Sequence, residues 1–305
     1  MQTNSSRVLR VFLLGNAAFS LTTGAMLATL SERAGALLAP AVSPTLFAEI
    51  GVALLAFGLL TASLGLRRRP NTGWAALISV ADFGWVVGSA AVLLFGSAHL
   101  SGVGGGGVAL VAVIVLGFAL GQLLGINRVY AVVGDQPGSP AYRLCIEVAT
   151  LGRPEEIWAN LADLGSIARY SPMLAFARLR DATPGVGAVR ECGDHAGRKW
   201  AERCLRLDQE RRELEIAFLT DEPSFPFPFS ILRGGWEVRP AAAGHGALVR
   251  VWFEGTPRPR LLTPFIMALL EQQSRRTFPA TILQLAGFPA RKSSRRATLL
   301  TVTSC

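Results

Sequence analysis

Residues 108–140 read VALVAVIVLGFALGQLLGINRVYAVVGDQPGSP, and this stretch decides the organisation of the chain. Its first part, Val108–Ile126, carries no charge and approaches the roughly 20 residues that an α-helix needs to cross a bilayer. The Gly- and Pro-containing run Gly134–Pro140 that follows is typical of a linker. Long apolar segments end here, so we expect a membrane domain before this point and a soluble domain after it.

Three further apolar segments precede that stretch, at Val11–Leu30, Leu46–Leu66 and Trp74–Phe95. The first of them follows two arginines, as a signal peptide would, but three more spans come after it and favour a retained anchor. The sequence therefore predicts a four-helix transmembrane domain over residues 1–130 and a linker over 131–141.

The charge of the chain follows these segments. Of its 305 residues, half are hydrophobic and only 17% are charged, with a net charge of +9. A basic protein could bind nucleic acid, but here much of the positive charge flanks the apolar segments, where membrane topology places it. We therefore expect no nucleic-acid partner.

The arginines also predict orientation. Only Arg33, beside Glu32, falls on one side of the predicted membrane, and six arginines fall on the other: Arg7, Arg10, Arg67, Arg68, Arg69 and Arg128. The positive-inside rule then predicts a multi-pass protein of the cell (inner) membrane with both termini in the cytoplasm. Arginine greatly outnumbers lysine, which is typical of a GC-rich bacterial genome.

In the cytoplasm, cysteines remain reduced, so all four (Cys145, Cys192, Cys204 and Cys305) are expected to be free thiols. Their spacing matches no zinc site, and we expect neither a metal nor a cofactor.

Three polar residues interrupt the apolar spans: Asn16, Asp82 and Gln122. Each is predicted at a similar depth from the cytoplasmic end of its helix, so the three side chains could meet. A carboxylate in a bilayer is costly and faces other helices. The cluster is either an ion or proton site or a hydrogen-bonded clamp, and we favour the clamp because no second acid lies at that depth.

Beyond the linker the hydrophobic period changes. Tyr142–Leu151 alternates as a strand, and Pro154–Asp163 is predicted as a helix with proline in its first turn. Ser166–Tyr170 predicts a second short helix, and Arg260–Ala286 a long one. Six strand-like runs lie between the two: Leu174–Asp181, Ala188–Gly193, Lys199–Asp208, Glu213–Thr220, Ile231–Arg239 and Ala247–Gly255.

This order resembles the SRPBCC superfamily, which includes START, Bet v 1 and the polyketide cyclase/dehydrase and lipid-transport proteins. Its motifs are Pro154-Glu-Glu-Ile-Trp158 with Asp163, Tyr170-Ser-Pro172, Gly185-Val-Gly-Ala-Val-Arg190, Trp200–Asp208 and Trp236–Pro240. The resemblance covers residues 142–288. It implies an α+β helix-grip domain, an antiparallel sheet wrapped on the long C-terminal helix with a hydrophobic cavity between them.

Alternation along the strands and the stripe of the long helix predict which side chains face that cavity. Arg190 and Glu202 are its expected polar anchors, and they could instead pair with each other. The other predicted lining residues are Cys192, Trp200, Cys204, Phe218, Trp236, Phe253, Phe265 and Leu269. A mostly apolar surface with few polar groups is typical of a ligand pocket, although for any single residue we favour a place in the core.

Catalysis has little support in the sequence. The histidines, His99, His195 and His245, fall in predicted loops and form no nucleophile pair or metal cluster. If the domain is a cyclase or dehydrase, Glu202 is the candidate acid or base.

Two further segments have open interpretations. The loop Pro223–Ser230, with Phe225, Phe227 and Phe229, is either a lid or membrane contact, or a plug over the sheet edge. The tail 289–305 is predicted to be disordered, and its basic run Arg291–Arg296 either contacts an anionic leaflet or is simply solvated.

Together these patterns favour a membrane-anchored cytoplasmic domain that binds a lipid, isoprenoid or polyketide, in contact with membrane lipids. The alternatives are a polyketide cyclase/dehydrase-like enzyme and a non-enzymatic membrane regulator or assembly factor with a membrane protein partner.

Overall fold

A computed structural model describes residues 5–132, 139–180, 184–241, 245–288 and 299–304. The chain divides into two units, Met1–Val129 and Tyr130–Cys305. The centre of the expected linker (133–138) and the basic run Arg291–Arg296 lie outside the described residues.

The first unit is helical. Its helices are α1 (Ser5–Thr29), α2 (Ser31–Leu38), α3 (Pro44–Gly65), α4 (Thr72–Phe95) and α5 (Gly102–Tyr130). All except α2 are long and apolar enough to cross a membrane. The side chains of Ser43 and Asn71 cap α3 and α4 by accepting from backbone N–H groups, which sets where these helices begin.

Small residues allow close contact inside this unit. A β-carbon at Gly51 would lie 2.5 Å from the backbone nitrogen of Ala28, so only glycine permits α1 and α3 to approach this closely. At Gly84 and Gly88 of α4, by contrast, a β-carbon would meet nothing within 4 Å. The GxxxG spacing of α4 is therefore not used for packing within the described helices.

The second unit is an antiparallel sheet with helices on one face. Its helices are α6 (Pro154–Ala162) and α7 (Thr263–Leu285). The strands, in the spatial order β2-β3-β4-β5-β6-β7-β1-β8, are β1 (Tyr142–Thr150), β2 (Leu174–Leu179), β3 (Val189–Asp194), β4 (Lys199–Asp208), β5 (Glu213–Phe218), β6 (Phe229–Pro240), β7 (Ala247–Pro257) and β8 (Leu299–Ser304). The expected fold class, a helical region followed by a helix-grip domain, is confirmed.

The core lies on the face of the sheet covered by α6 and α7, called here the inner face. Alternate residues of β1, β6 and β7, such as Val148, Val238 and Val249, meet Ile157 of α6 and Ile282 of α7 there. Register irregularities in β2, β4 and β6 bend their strands around this core.

One prediction fails at the C-terminus. Leu299–Ser304 form β8, which pairs with β1 in the register Ile146↔Ser304, where we expected a disordered tail. β1 is otherwise an edge strand, whose open backbone groups a further strand can satisfy.

Candidate functional site

A buried ion pair lies on the inner face between β3 and β4. Arg190 and Glu202 are directly opposite in the register and only 6% and 5% exposed. The guanidinium donates from Nε to Glu202 Oε2 at 2.7 Å, and Nη2 lies 2.6 Å from the same oxygen. Arg190 Nη1 also donates to the carbonyl of Leu164 at 3.3 Å.

Trp200 completes this polar group. It precedes Glu202 by two residues on β4, so both side chains point to the same face. Its indole Nε1 donates to Glu202 Oε1 at 2.6 Å. Both carboxylate oxygens therefore accept hydrogen bonds from the protein, which gives a buried charge the partners it requires.

The electrostatics of this group favour a fixed charge pair. Burial is the largest single influence on the pKa of Arg190 and lowers it, but the Glu202 carboxylate together with Cys192 and Cys204 raises that pKa above its ordinary value. Burial, with a smaller contribution from Glu202, raises the pKa of the Cys192 thiol to about 12. Burial likewise raises the pKa of Cys204. Both thiols stay protonated at neutral pH and are poor nucleophiles.

An aromatic row extends from Trp200 across the inner face to α7. Neighbouring ring centroids are 5.2–6.5 Å apart, within the range of favourable aromatic pairs. In order, the row is Trp200, Phe227, Phe225, Phe218, Phe253, Phe278 and Trp236. It places a continuous aromatic surface next to one buried ion pair.

The phenylalanines of the row are less buried than the core against which they pack. Phe218, Phe253 and Phe278 keep part of their surface accessible, whereas Val148 and Val249 beside them are wholly buried. Phe225 and Phe227 belong to the loop before β6 and pack on Phe218 and Trp200. This contact places the loop over the polar end of the row, as a lid would lie.

The structure brings most of the predicted lining residues together. Arg190, Cys192, Trp200, Glu202, Cys204 and Trp236 are buried, and Phe218 and Phe253 are partly buried. Leu269 is instead 55% exposed and lines nothing on the inner face. Phe265 is partly buried but does not belong to the core cluster.

The helix α7 therefore uses a different segment from the one we predicted. Phe278, Ile282 and Leu285, spaced i, i+4, i+7, cover the sheet. Both halves of the helix carry apolar residues, so periodicity alone could not tell which half meets the strands. The spacing of Phe278, Ile282 and Leu285 forms a second apolar stripe in the sequence, from which Phe278 could have been predicted.

The first unit contains its own buried polar network. Asn16 Nδ2 and Gln122 Nε2 donate to the same oxygen of Asp82, Oδ2, at 2.8 and 3.1 Å. Ser20 donates to Asn16 Oδ1 at 3.2 Å, and Ser79 to Gln122 Oε1 at 2.9 Å. The amide nitrogens point at the carboxylate and the amide oxygens are taken by hydroxyls, which is the arrangement of a clamp joining α1, α4 and α5.

Metal ligation has no basis in the described residues, where no group of three His, Cys, Asp or Glu side chains could hold an ion.

The cysteine prediction is wrong at one position. Cys145 is disulfide-bonded, whereas Cys192 and Cys204 are free.

Known proteins resemble the second unit. Residues 146–281 match a family model described as polyketide cyclase / dehydrase and lipid transport. No curated protein matches the chain. This match, on a sheet that grips a C-terminal helix, shows that the second unit is an SRPBCC domain following a helical N-terminal region.

Solved structures of low sequence identity match about half of the chain. XoxI from Bacillus cereus is 16% identical, with a TM-score of 0.40, and the match covers 48% of this chain and 93% of that one. A protein from Thermobifida fusca is 21% identical, with a TM-score of 0.39 and coverage of 47% and 92%. Norcoclaurine synthase from Thalictrum flavum, solved with dopamine and hydroxybenzaldehyde, is 13% identical, with a TM-score of 0.40 and coverage of 50% and 94%.

Proposed function

We propose that the domain over residues 142–288 binds a hydrophobic small molecule, such as a lipid, an isoprenoid or a polyketide, between the inner face and α7. The observation that carries this proposal is the aromatic row, in which Phe218, Phe253 and Phe278 keep accessible surface although they pack against the buried core. An apolar ligand placed there gains about 0.8 kcal/mol for each CH₂ group that it buries.

The polar end of the row would orient the ligand. Pockets for small molecules combine a mostly apolar lining with a few fixed polar groups. Arg190 and Glu202 are this polar pair, and Trp200, the first ring of the row, joins them to it by donating to Glu202. A ligand with one polar end and a long apolar body fits this arrangement.

The ligand can be identified directly. The full-length protein, purified in detergent, is extracted with organic solvent, and the extract is analysed by mass spectrometry. Phe218→Trp enlarges a ring of the row and should deplete the bound compound. Val186→Trp, at a position 67% exposed in the loop before β3, is the matched control and should retain it. Extracts with equal content in all three proteins would contradict the proposal.

The four apolar helices are proposed to hold this domain at the bilayer, where such ligands dissolve. We propose the cell membrane with both termini in the cytoplasm, because six arginines lie on the corresponding side of the helices and one on the other. The disulfide at Cys145 favours the opposite side, since disulfides persist in oxidising compartments.

Labelling separates the two orientations. A cysteine at exposed His195 is treated with a membrane-impermeant maleimide in intact spheroplasts and after permeabilisation. Labelling only after permeabilisation supports the cytoplasmic side. Labelling of intact cells would place the domain outside and account for the disulfide.

A cyclase or dehydrase using Glu202 is the alternative from another class. Its carboxylate is buried, as such a base would be, but both oxygens already accept hydrogen bonds. Glu202→Gln should alter ligand content only modestly in a binding protein and abolish turnover in an enzyme. A membrane regulator would give no bound compound, together with a reproducible membrane protein partner.

A further inference from the structure

A short segment between β7 and α7 exposes apolar and basic side chains side by side. Leu261 is 84% exposed and Leu262 is 46% exposed, within the 3-10 turn Arg260–Leu262. Arg258 and Arg260 beside them are exposed as well. We call residues 258–262 the docking segment. Adjacent leucines open to water, flanked by arginines, are typical of a surface that enters a lipid interface.

The arginines of this segment are available for an external anion. Neither Arg258 nor Arg260 forms an ion pair with an acid in the described parts of the chain. Arg250 on β7, by contrast, lies 2.7 Å from Glu147 and 3.2 Å from Glu237. Within the described parts of the chain, no acidic side chain therefore neutralises the positive charge of the docking segment.

Backbone pairing places the docking segment at the end of the sheet where β1 begins. Ala131, one residue after the last residue of α5, is bridged to Tyr142 at the start of β1. Tyr142 pairs with Gly255 of β7. The backbone N–H of Ala141 donates to the hydroxyl of Thr256 at 3.3 Å. One residue, Pro257, separates Thr256 from the docking segment. The docking segment therefore lies at the end of the sheet where β1 begins.

The neighbouring loop belongs to the same end. Phe229 pairs with Pro257, and the backbone N–H of Arg258 donates to the carbonyl of Pro228 at 2.8 Å. The docking segment is thus fixed to the loop whose Phe225 and Phe227 cover the aromatic row.

We propose that the docking segment binds an anionic lipid surface. Leu261 and Leu262 enter the acyl boundary, and Arg258 and Arg260 pair with lipid phosphates. Anionic lipids attract basic residues held beside the bilayer, and buried leucine surface adds to that attraction. The proposal rests on the four helices spanning a membrane and does not depend on ligand binding by the inner face.

The test uses the full-length protein in vesicles. Leu261→Cys is labelled with an environment-sensitive fluorophore and reconstituted into phosphatidylcholine alone or phosphatidylcholine with phosphatidylglycerol. In the anionic vesicles we expect a blue-shifted emission that is quenched by lipids brominated on their acyl chains. Val186→Cys is the matched control and should keep water-like emission. The chain without an added cysteine, labelled in parallel, supplies the background.

Charge reversal then tests the arginines. Arg258→Glu with Arg260→Glu, carrying the same probe, should lose the quenching in anionic vesicles, and added salt should weaken it in the parent protein. A water-like probe in both lipids overturns the proposal. Equal quenching in both lipids overturns the assignment to anionic lipid. If the probe is shielded from water but brominated lipid does not quench it, the docking segment contacts protein instead, and the proposal is overturned.

Discussion

Trp200 joins the aromatic row to the buried ion pair, because its indole N–H donates to Glu202 at 2.6 Å while its ring meets Phe227 with centroids 5.2 Å apart. One side chain thus contacts both the loop before β6 and the carboxylate that faces Arg190. A movement of the loop would change the surroundings of Trp200, and with them one of the hydrogen bonds that hold Glu202. The row and the ion pair should therefore respond together to substitution.

Breaking the buried ion pair should destabilise the second unit strongly. Arg190→Met leaves the Glu202 carboxylate buried without its cation, and we expect a loss of about 3–5 kcal/mol. The double variant Arg190→Met with Glu202→Leu should recover much of that loss, since no charge remains to be solvated. Urea unfolding of the detergent-solubilised protein, followed by tryptophan fluorescence, measures both.

The matched control is a solvent-exposed ion pair of the same type, on the surface of the sheet. Arg178 lies 2.6 Å from Glu191, but its side chain is mostly exposed. Arg178→Met should cost at most about 1 kcal/mol, because solvent screens the pair. A cost for Arg190→Met no larger than that of Arg178→Met would show that the buried pair contributes little.

Removing one ring from the loop should open the polar end of the row. Phe227→Ser deletes the ring contact with Trp200, which is worth about 0.5–1.5 kcal/mol beyond its buried area. A fluorescent hydrophobic probe bound to the protein should then dissociate faster in stopped-flow measurements. Phe176→Ser, the same change at a ring on β2 that lies under the Arg178 guanidinium, should leave that rate unchanged. Equal rates in Phe227→Ser and the parent protein would exclude a lid function.

The network around Asp82 should behave as a clamp. Asp82→Leu removes the acceptor of Asn16 and Gln122, and we expect a loss of about 1–2 kcal/mol of bundle stability. Asp82→Asn keeps an acceptor oxygen and should cost less. Thr61→Val is the control, because the Thr61 hydroxyl donates a hydrogen bond to the carbonyl of Phe57 within its own helix. Titration with a denaturing detergent reports the loss, and proton flux in liposomes abolished by Asp82→Asn would instead indicate a transport site.

The raised pKa of Cys192 predicts slow alkylation that depends little on pH. Burial and the Glu202 carboxylate move this pKa from 9.0 to about 12, so the folded protein holds little thiolate near pH 9. Iodoacetamide labelling between pH 7 and 10, read by peptide mass spectrometry, should modify Cys192 only after urea unfolding. Modification of the folded protein that rises around pH 9 would contradict the burial of this thiol.

The same pKa links Cys192 to stability. The unfolded thiol loses its proton near pH 9.0, whereas the folded thiol keeps it until about pH 12. The unfolded state thus binds fewer protons across this range, and the free energy of unfolding falls as the pH rises. Cys192→Ala should abolish this part of the alkaline loss, measured as the difference between the two urea midpoints at pH 7 and pH 10.

Sequence patterns predicted the local elements well. The uncharged run Val108–Ile126 lies inside α5, and the strand predicted at Lys199–Asp208 has the bounds of β4. Hydrophobic period and caps are properties of neighbouring residues, so they can be recognised without knowing the partners of a helix or strand. Strand alternation also placed Arg190 and Glu202 on one face, although pairing with each other was only one of the expected outcomes.

The partners across elements were decided by tertiary structure. Periodicity predicted an apolar stripe from Leu262 to Leu270, but the sheet meets Phe278 and Ile282 further along α7. Thr301, Val302 and Thr303 are β-branched and suit a strand, but the sequence of β8 does not show which strand it pairs with. That partner is β1, whose edge was otherwise unpaired. A local pattern shows which side chains share a face, and only packing decides which faces meet, because that choice depends on contacts between residues far apart in the chain.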